Sequence, residues 1–483
     1  MTTPPSHPPH SAPNLVLILS DDHAANAISA YGRSLMPTPN IDRIATDGLR
    51  FDAAFCTNAL CAPSRASILT GTYSHVNGVR TLSTHFDASQ PAFPGLLRDA
   101  GYQTWLVGKW HLGHGGGHDP QGFDSWDILE DQGEYWNPEL LSADGRRTVE
   151  GYTTTVLTDL ALERIARRDP NRPFCLLLWH KAPHRSWDPD TAHAGLFEGR
   201  DLPEPPTLFD DYAGRSRAAR EARMQIGRDL TERDLKAPLP PDLAGDERTR
   251  WAYQRYIKDY LRCVASIDDN TGRLLDALDG HGLSADTVVV YASDQGFFLG
   301  EHGWYDKRFM YDESLRMPLL VRYPREVAPG TSTDALALNV DFAQTFLDLA
   351  EVPAHPRMQG RSLRPLLRGT RPDDWQTSLY YRYWEHLDAS HHVPAHYGVR
   401  TARHKLVHYY GDGLGLPGAS SMRTEPEWEL FDLDTDPAEL TSVFDDPAYD
   451  GVRRELAAEL DRVQRGLGDE PAATPSSGSA QMP

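Results

Sequence analysis

Two acidic segments of the sequence have the composition of a metal site. Asp21 and Asp22 follow an apolar run at residues 14–19, and Asp294 and Gln295 follow another at residues 287–291. Parallel strands deliver their carboxyl ends to one edge of a sheet, where open α/β folds bind ligands. Carboxylate and amide oxygens suit a hard divalent cation. We therefore predict one shared metal site, with helix capping by each aspartate as the alternative.

A cysteine stands at the start of a short predicted helix in residues 61–71, CAPSRASILTG. Pro63 and Gly71 frame this helix. At its N-terminus the helix dipole would lower the pKa of the Cys61 thiol and attract an anion, and Arg65 could bind sulfate or phosphate. A cysteine phosphatase is excluded, because its loop has five residues between cysteine and arginine and only three stand here. A buried structural cysteine remains the alternative.

The surrounding sequence predicts the elements that would position these groups. Strands covered on both faces are indicated by apolar runs at residues 14–19, 174–179, 287–291 and 319–323. Helical patterns alternate with them at residues 38–48, 93–100, 250–278 and 341–349. This alternation predicts an α/β fold in which a mostly parallel sheet lies between helices.

The same patterns divide the chain. After residue 370, short aromatic strands and a helix near residues 452–463 predict a smaller antiparallel α+β subdomain. We expect a catalytic domain at residues 14–370, a C-terminal subdomain at 371–468, and disordered tails at 1–13 and 469–483. The proline-rich and charged residues 202–242 are predicted to form a surface excursion.

Residues 61–71 resemble the signature of the formylglycine-dependent (type I) sulfatases, C-x-P-S-R-x-x-x-x-T-G, at every fixed position. Further similar stretches are LILSDDH at residues 17–23, GKWHLG at 108–113, KAPH at 181–184, residues 293–320, and WELFDLDTD at 428–436. The resemblance implies an alkaline-phosphatase-like α/β sandwich with a smaller C-terminal subdomain. Residues 296–316 look most like the branch that contains N-acetylglucosamine-6-sulfatases, mucin-desulfating sulfatases and iduronate sulfatases.

The family's functional residues can be carried over by position. Cys61 would be converted to formylglycine by a formylglycine-generating enzyme, and its hydrated aldehyde would be the nucleophile. The implied metal is calcium, and its ligands would be Asp21, Asp22, the converted Cys61, Asp294 and Gln295, where the family commonly has asparagine or histidine at the last position. The remaining implied roles are Arg65 for the hydrated aldehyde, Lys109 for the sulfate oxygens, His111 as the base for the second hydroxyl, and His184 and Lys307 for the bridging ester oxygen.

Hydrolysis of a sulfate ester requires the groups named above: a nucleophile, a metal ion and basic side chains. The negative charge of the ester repels nucleophiles, so cations must neutralise it where charge develops. In the reaction that the resemblance implies, one hydroxyl of the hydrated aldehyde attacks sulfur and the other then expels sulfate, which splits a hard displacement into two steps. A serine would stall after the first step, because it has no second hydroxyl.

Composition limits the partners and the compartment. The net charge of −21, with no basic stripe, argues against nucleic-acid binding. Four cysteines are too sparse for a disulfide framework, and no apolar run approaches the roughly 20 residues of a membrane helix. Because the first residues lack a basic segment and a long apolar run, we expect a cytoplasmic protein without a membrane anchor.

The substrate predicted from the branch is a sulfated sugar, and the acidic surface favours a mono- or oligosaccharide over a long polyanion. Two alternatives remain open. One is a phosphonate or phosphate ester hydrolase with the same metal chemistry. The other is a non-catalytic binder of sulfated glycans, which would need Cys61 to stay a thiol, or His184 and Lys307 to point away from the pocket. Glu301 and His302 lie near the acidic loop in sequence and are predicted substrate contacts. Residues 215–223 are predicted to form a solvated helix face.

Overall fold

The computed structural model describes residues 12–32 and 35–469. Residues 1–11 and 470–483, which make up most of the predicted tails, lie outside the described residues. Asp469, the first residue of the predicted C-terminal tail, is buried. Its carboxylate accepts hydrogen bonds from Arg382 at 2.7 Å and from the Tyr380 hydroxyl at 2.8 Å.

Sixteen strands occur in the described residues. In chain order they are β1 (Asn14–Ser20), β2 (Leu49–Phe51), β3 (Ala54–Phe55), β4 (Gln103–Lys109), β5 (Ser125–Leu129), β6 (Glu139–Ser142), β7 (Gly145–Thr148), β8 (Phe174–Trp179), β9 (Thr287–Ser293), β10 (Leu319–Arg322), β11 (Thr331–Thr333), β12 (Ala337–Leu338), β13 (Ser378–Tyr383), β14 (His396–Thr401), β15 (His404–Tyr409) and β16 (Glu427–Asp432).

Ten of these strands form one large mixed sheet, in the order β11-β2-β10-β9-β1-β8-β4-β5-β6-β7. Its centre is parallel: β1 pairs with β8 and β9, and β4 pairs with β8 and β5. Both β10 and the β6–β7 hairpin add antiparallel strands towards the two edges. The parallel centre is the feature that matters for function, because its five strands end at the same edge.

The α-helices, described in chain order, flank this sheet and the later one. They are α1 (Pro39–Thr46), α2 (Cys61–Thr70), α3 (Ser74–Asn77), α4 (Phe93–Asp99), α5 (Thr153–Arg167), α6 (Arg217–Glu221), α7 (Ile226–Asp229), α8 (Glu232–Leu235), α9 (Gly245–Gly280), α10 (Asp312–Leu315), α11 (Phe342–Leu349), α12 (Arg364–Leu367) and α13 (Asp450–Leu467). None of these helices is long and apolar enough to cross a membrane.

Two apolar cores cover the two faces of the large sheet. Along β1, Val16 and Ile18 belong to the core that includes α5 and α9, while Leu15, Leu17 and Leu19 belong to the core that includes α4 and α11. Successive side chains of a strand point to opposite faces, so a strand buried on both faces needs an unbroken apolar run. This confirms the predicted α/β architecture.

The C-terminal subdomain is built on a second, antiparallel sheet of four strands, β13-β14-β15-β16, with α13 packed against it. Its apolar core also includes residues of the loop that follows β9, among them Phe298, Trp304 and Phe309. The small sheet is therefore packed against the segment that carries Lys307.

Two parts of the predicted surface are buried instead. Within residues 202–242, Ile226 and Leu235 are buried because α7 and α8 pack against the long helix α9. Ala219 of α6 is buried in the core that the small sheet shares. Arg215, predicted to be solvated, has a side chain with 0% exposure and pairs with Asp210. Its guanidinium lies over the rings of three aromatic residues, Tyr212, Trp304 and Tyr311. Residues 215–223 therefore include a buried cation, Arg215. The pattern of charges in the sequence does not distinguish a buried arginine from a solvated one.

Replacement of Lys405 by methionine tests the attachment of the small sheet. The fully buried Lys405 ammonium lies 2.8 Å from Asp312 and 2.6 Å from Glu439. Removal of one partner leaves an uncompensated buried charge, so we expect Lys405→Met to lower the free energy of unfolding by about 3–5 kcal/mol. The measurement is chemical denaturation. Arg465→Met, which breaks the exposed Arg465–Asp461 pair, is the control and should cost less than about 1 kcal/mol. Equal losses in the two variants would contradict the prediction.

Candidate active site

Four parallel strands of the large sheet bring the predicted site residues to one edge. Asp21 and Asp22 follow β1, Asp294 and Gln295 follow β9, Lys109 ends β4, and His184 lies in the loop after β8. Ser20 pairs with Ser293 and Leu19 with Trp179, so the strands end at the same level. The predicted convergence of the two acidic loops is therefore observed.

The three aspartates form a buried cluster whose carboxylate oxygens lie within 4.8 Å of one another. Asp22 has a left-handed backbone, with φ of 65°, and its N–H donates to Asp294 Oδ1 at 3.2 Å. Burial raises the pKa of Asp22 to about 7, against the opposing effect of Lys307. Burial also raises the pKa of Asp294, and the charge of Asp21 raises it further. Three carboxylates that disfavour one another's charge are a fitting set for a cation.

Three basic side chains balance these carboxylates. The Arg65 guanidinium lies 3.1 Å from Asp21 and 2.9 Å from Asp294, and Lys307 Nζ lies 2.6 Å from Asp22. Lys109 also pairs with Asp21. Burial raises the pKa of Asp21, but Lys109, His184 and Arg65 outweigh that effect and hold it well below its ordinary value. Asp21 is therefore an anion in this site.

Two oxygen atoms of the cluster have no hydrogen-bond partner among the described residues. They are Asp21 Oδ1 and Gln295 Oε1, and both are buried. The amide nitrogen of Gln295 donates to Asp22 Oδ1 at 2.5 Å, which fixes the orientation of its side chain. Unpartnered buried acceptors are costly unless a ligand satisfies them. Together with the carboxylates they fit a hard divalent metal ion that prefers oxygen ligands.

Cys61 begins α2 next to this cluster. Its thiol belongs to a group with Asp21 and His184 whose ligand atoms lie within 4.8 Å of one another. The expected lowering of the thiol pKa is not found: burial raises the pKa of Cys61 to about 11, against the opposing effect of Lys109. Desolvation of the thiolate outweighs the helix terminus and the nearby cations. The unmodified thiol is thus a poor nucleophile, unlike the thiolate of a cysteine phosphatase.

Two histidines border the cluster, and both are neutral. Burial, followed by the charge of Lys109, holds the pKa of His111 and of His184 well below the ordinary value. His184 Nε2 lies 3.7 Å from Asp22 Oδ2, and its Nδ1 lies 2.8 Å from the Arg185 carbonyl. His184 retains 14% side-chain exposure, whereas Lys109 has none. His184 therefore lies on the more open side of the site.

The two predicted substrate contacts are placed differently. His302 is fully buried, with its Nδ1 lying 2.9 Å from Arg215 and 3.1 Å from Asp210. The Glu301 carboxylate accepts from the Leu299 N–H at 2.6 Å and contacts Asn26 at 3.4 Å. His302 is thus enclosed by protein, and the structure does not bring it to the cluster. The prediction for His302 relied on its closeness to Asp294 in sequence. The chain folds back in a turn at Gly300, and this turn carries His302 away from the cluster.

One further contact residue was absent from the sequence analysis. Gln132, in the loop after β5, places its Oε1 2.5 Å from Lys109 Nζ and its Nε2 3.3 Å from His111 Nε2. A lone glutamine in a loop carries no sequence signal for such a role. Only the pairing of β4 with β5 brings it to the site.

A buried carboxylate cluster that could hold a divalent metal ion, beside a helix N-terminus and three cations, suits a hydrolase that acts on anionic esters. Comparison with known proteins agrees with this class. A model of the sulfatase family matches residues 13–352, and a model described as N-sulphoglucosamine sulphohydrolase, C-terminal, matches residues 300–466. The chain belongs to the sulfatase family and is a sulfuric ester hydrolase.

Individual relatives extend the comparison. The chain is 43% identical to the N-acetylglucosamine-6-O-sulfatase of Bacteroides thetaiotaomicron, over 94% of this chain and 86% of the relative. It is 29% identical to the human N-acetylglucosamine-6-sulfatase, over 77% of this chain and 67% of the relative. A solved structure in complex with its substrate, D-glucosamine-2-N,6-O-disulfate, aligns with a TM-score of 0.90 at 42% identity, covering 95% of this chain and 98% of that one.

Thiol titration tests the burial of the cysteines. All four are free and buried, and burial raises the pKa of Cys61 to about 11, so the folded protein should react very slowly with a thiol reagent near pH 8. After denaturation, four thiols should react if Cys61 is unmodified and three if it has been converted. Mass spectrometry of the peptide containing Cys61 gives the independent count. Rapid labelling of Cys61 in the folded protein would contradict its described burial.

Proposed function

We propose that this protein hydrolyses the 6-O-sulfate ester of a sulfated glucosamine, as a monosaccharide or a short oligosaccharide, to the alcohol and inorganic sulfate. The observation that carries this proposal is the match along nearly the whole chain, at 42–43% identity, to a 6-O-sulfatase and to a structure holding a glucosamine disulfate. The acidic net charge of −21 supports a small substrate over a long polyanion.

The nucleophile in this proposal comes from Cys61. Conversion to formylglycine would replace an inert buried thiol by a group whose hydrate offers two hydroxyls. Arg65 is placed to orient that group, since its guanidinium is fixed by Asp21 and Asp294 and by a hydrogen bond to the Lys109 carbonyl at 2.6 Å. A group held by three partners costs little reorganisation during the reaction.

Calcium is the metal that we propose for the oxygen-rich cluster. Asp21, Asp22, Asp294 and Gln295 would hold it, and two of them have a buried oxygen without a partner. A bound divalent cation would supply electrostatic stabilisation of negative charge on the nucleophile and the ester. A bound cation favours the ionised form of all three carboxylates, whose charges then balance the three basic side chains, so a divalent cation would bring the site to a net charge of +2. A site with that charge favours an anionic ester.

The remaining polar groups are assigned to the two ends of the scissile bond. Lys109 is proposed to bind the sulfate oxygens, and His184 and Lys307 the bridging oxygen, where negative charge appears on the leaving alcohol. His184 has the most exposed side chain of these three residues, as expected for a group that meets the sugar. His111 is neutral, which is required of a group that accepts a proton from the second hydroxyl.

Sulfate release from a defined panel tests the proposed reaction and substrate. With protein whose Cys61 conversion has been verified, we expect ion chromatography to detect sulfate from 6-O-sulfated glucosamine and N-acetylglucosamine. Glucosamine carrying only an N-sulfate, and galactose 6-sulfate, should release much less. Turnover of an aryl phosphonate but of no sulfate would overturn the proposal. Binding of the sulfated sugars without any release would instead support a non-catalytic binder.

Replacement of Cys61 by serine tests the proposed nucleophile. A serine has one hydroxyl, so we expect Cys61→Ser to transfer at most one sulfate group per chain and then to stop. Cys263→Ser is the matched control, because this buried thiol donates to the Asp188 carbonyl at 3.5 Å, which a hydroxyl can also do. The control should keep multiple turnover. Continued turnover by Cys61→Ser would exclude the formylglycine mechanism.

Calcium binding should stabilise the folded protein. Calcium at about 100 times its dissociation constant adds about 2.7 kcal/mol to the free energy of unfolding if it binds only the folded state. We expect EDTA to lower the melting temperature and the activity, and calcium to restore both better than zinc. Asp294→Asn should lose most of the response, and Asp434→Asn, whose side chain is 66% exposed in a turn, should keep it. No response of the unaltered protein would refute the metal assignment.

A further inference from the structure

Gln132 connects two residues of the site through one carboxamide group. It lies in the loop after β5, and its side chain meets Lys109 on one side and His111 on the other. Lys109 Nζ is 2.5 Å from Gln132 Oε1, and His111 Nε2 is 3.3 Å from Gln132 Nε2. Neither contact involves a metal ligand directly, and the roles assigned above do not use Gln132.

Only one arrangement of hydrogen atoms satisfies the contacts of Gln132 with Lys109 and His111. A lysine ammonium can only donate, so the oxygen of the carboxamide must face Lys109. The amide nitrogen then faces His111, and an amide nitrogen can also only donate. His111 Nε2 must therefore accept and cannot carry a hydrogen. Because the His111 ring is neutral, its single hydrogen lies on Nδ1.

Contacts with neighbouring residues hold Gln132 in place. The main-chain carbonyl of Gln132 accepts a hydrogen bond from Lys181 Nζ at 3.1 Å. The Lys181 ammonium in turn lies 4.9 Å from the centre of the Tyr135 ring. The Gly133 N–H closes the turn on the Glu130 carbonyl at 2.8 Å. At the other end, Lys109 is fully buried and paired with Asp21. The carboxamide is thus held between two fixed points rather than free to rotate.

We propose that Gln132 is a positioning residue that fixes His111 as the tautomer with its hydrogen on Nδ1. His111 Nδ1 is buried and has no hydrogen-bond partner among the described residues, so it is the ring nitrogen left for the reactants. While Lys109 holds Gln132, His111 presents a hydrogen-bond donor there and not a base.

The tautomer with its hydrogen on Nδ1 limits when His111 can act as a base in the reaction, a step that rests on the proposed function. His111 can accept a proton at Nδ1 only with its own hydrogen on Nε2, and the Gln132 carboxamide must then turn its oxygen towards the ring. That rotation is open only when Lys109 no longer donates to Gln132. A sulfate group that binds Lys109 would meet this condition. Gln132 therefore couples the engagement of Lys109 to the basicity of His111.

The tautomer can be measured without turnover. In the full-length protein labelled with ¹⁵N-histidine, long-range proton–nitrogen correlation distinguishes the two neutral tautomers and the cation, and the signal absent from His111→Gln identifies the residue. We expect the hydrogen on Nδ1 in the unaltered protein. Gln132→Glu, whose carboxylate accepts from both neighbours, should move it to Nε2, and Gln132→Leu should give both forms. A hydrogen on Nε2 in the unaltered protein, or the same form in all variants, would overturn the proposal.

Kinetics with an aryl sulfate then test the link to the reaction independently of the sugar. Gln132→Glu keeps the acceptor for Lys109, so we expect KM to stay within about twofold while kcat changes by about 10-fold or more, within the range of a positioned acid–base group. Asp131→Asn, a substitution of the exposed neighbouring residue, is the control and should leave both constants unchanged. An altered tautomer with an unchanged kcat would overturn the coupling. Inactivity of the unaltered protein towards both the aryl sulfate and the 6-O-sulfated sugars would refute the proposed function instead.

Discussion

The mutual neutralisation of three buried carboxylates and three buried basic side chains is the interaction on which the site depends. Asp21, Asp22 and Asp294 are brought together by two parallel strands, and none could remain charged there alone, because desolvation of one ion costs several kcal/mol. Each carboxylate is therefore met by Arg65, Lys109 or Lys307. These cations come from a helix, a strand end and a loop that are far apart in the sequence, so the whole fold is needed to assemble one neutral cluster.

The small C-terminal sheet takes part in this assembly although it supplies none of the cluster. Lys307 lies in a long loop, and that loop continues into α10, where Asp312 pairs with Arg400 of β14 and Lys405 of β15. Apolar side chains of the same loop, such as Trp304, share the core of the small sheet. Loss of the small sheet would release the loop and leave Asp22 without its cation. The second sheet is thus a support for the position of Lys307.

The sequence was sufficient for the features that local patterns encode, and insufficient for those that depend on packing. Unbroken apolar runs identified β1, β8 and β9, and their ends located the aspartates. The strand β4 was missed, because its short apolar centre lies between Gln103, Thr104 and Lys109, whose burial a polarity pattern does not indicate. The expectation that the helix dipole lowers the pKa of the Cys61 thiol was wrong, because it left out the desolvation of the thiolate. Gln132 could not be found, since its partners are set by strand pairing alone.

The apolar cores explain why such a costly cluster can exist. Buried ion pairs contribute little net stability, so the free energy that holds the fold must come from the apolar layers on both faces of the large sheet. Leu15 to Leu19 bury five consecutive apolar side chains, and the charges begin only at Asp21, where the strand has ended. A charge within the strand would interrupt one of the two cores. At the strand end it interrupts neither, and loops are free to supply the opposing charges. The carboxyl edge is therefore where this fold can hold buried ions at the least cost to its core.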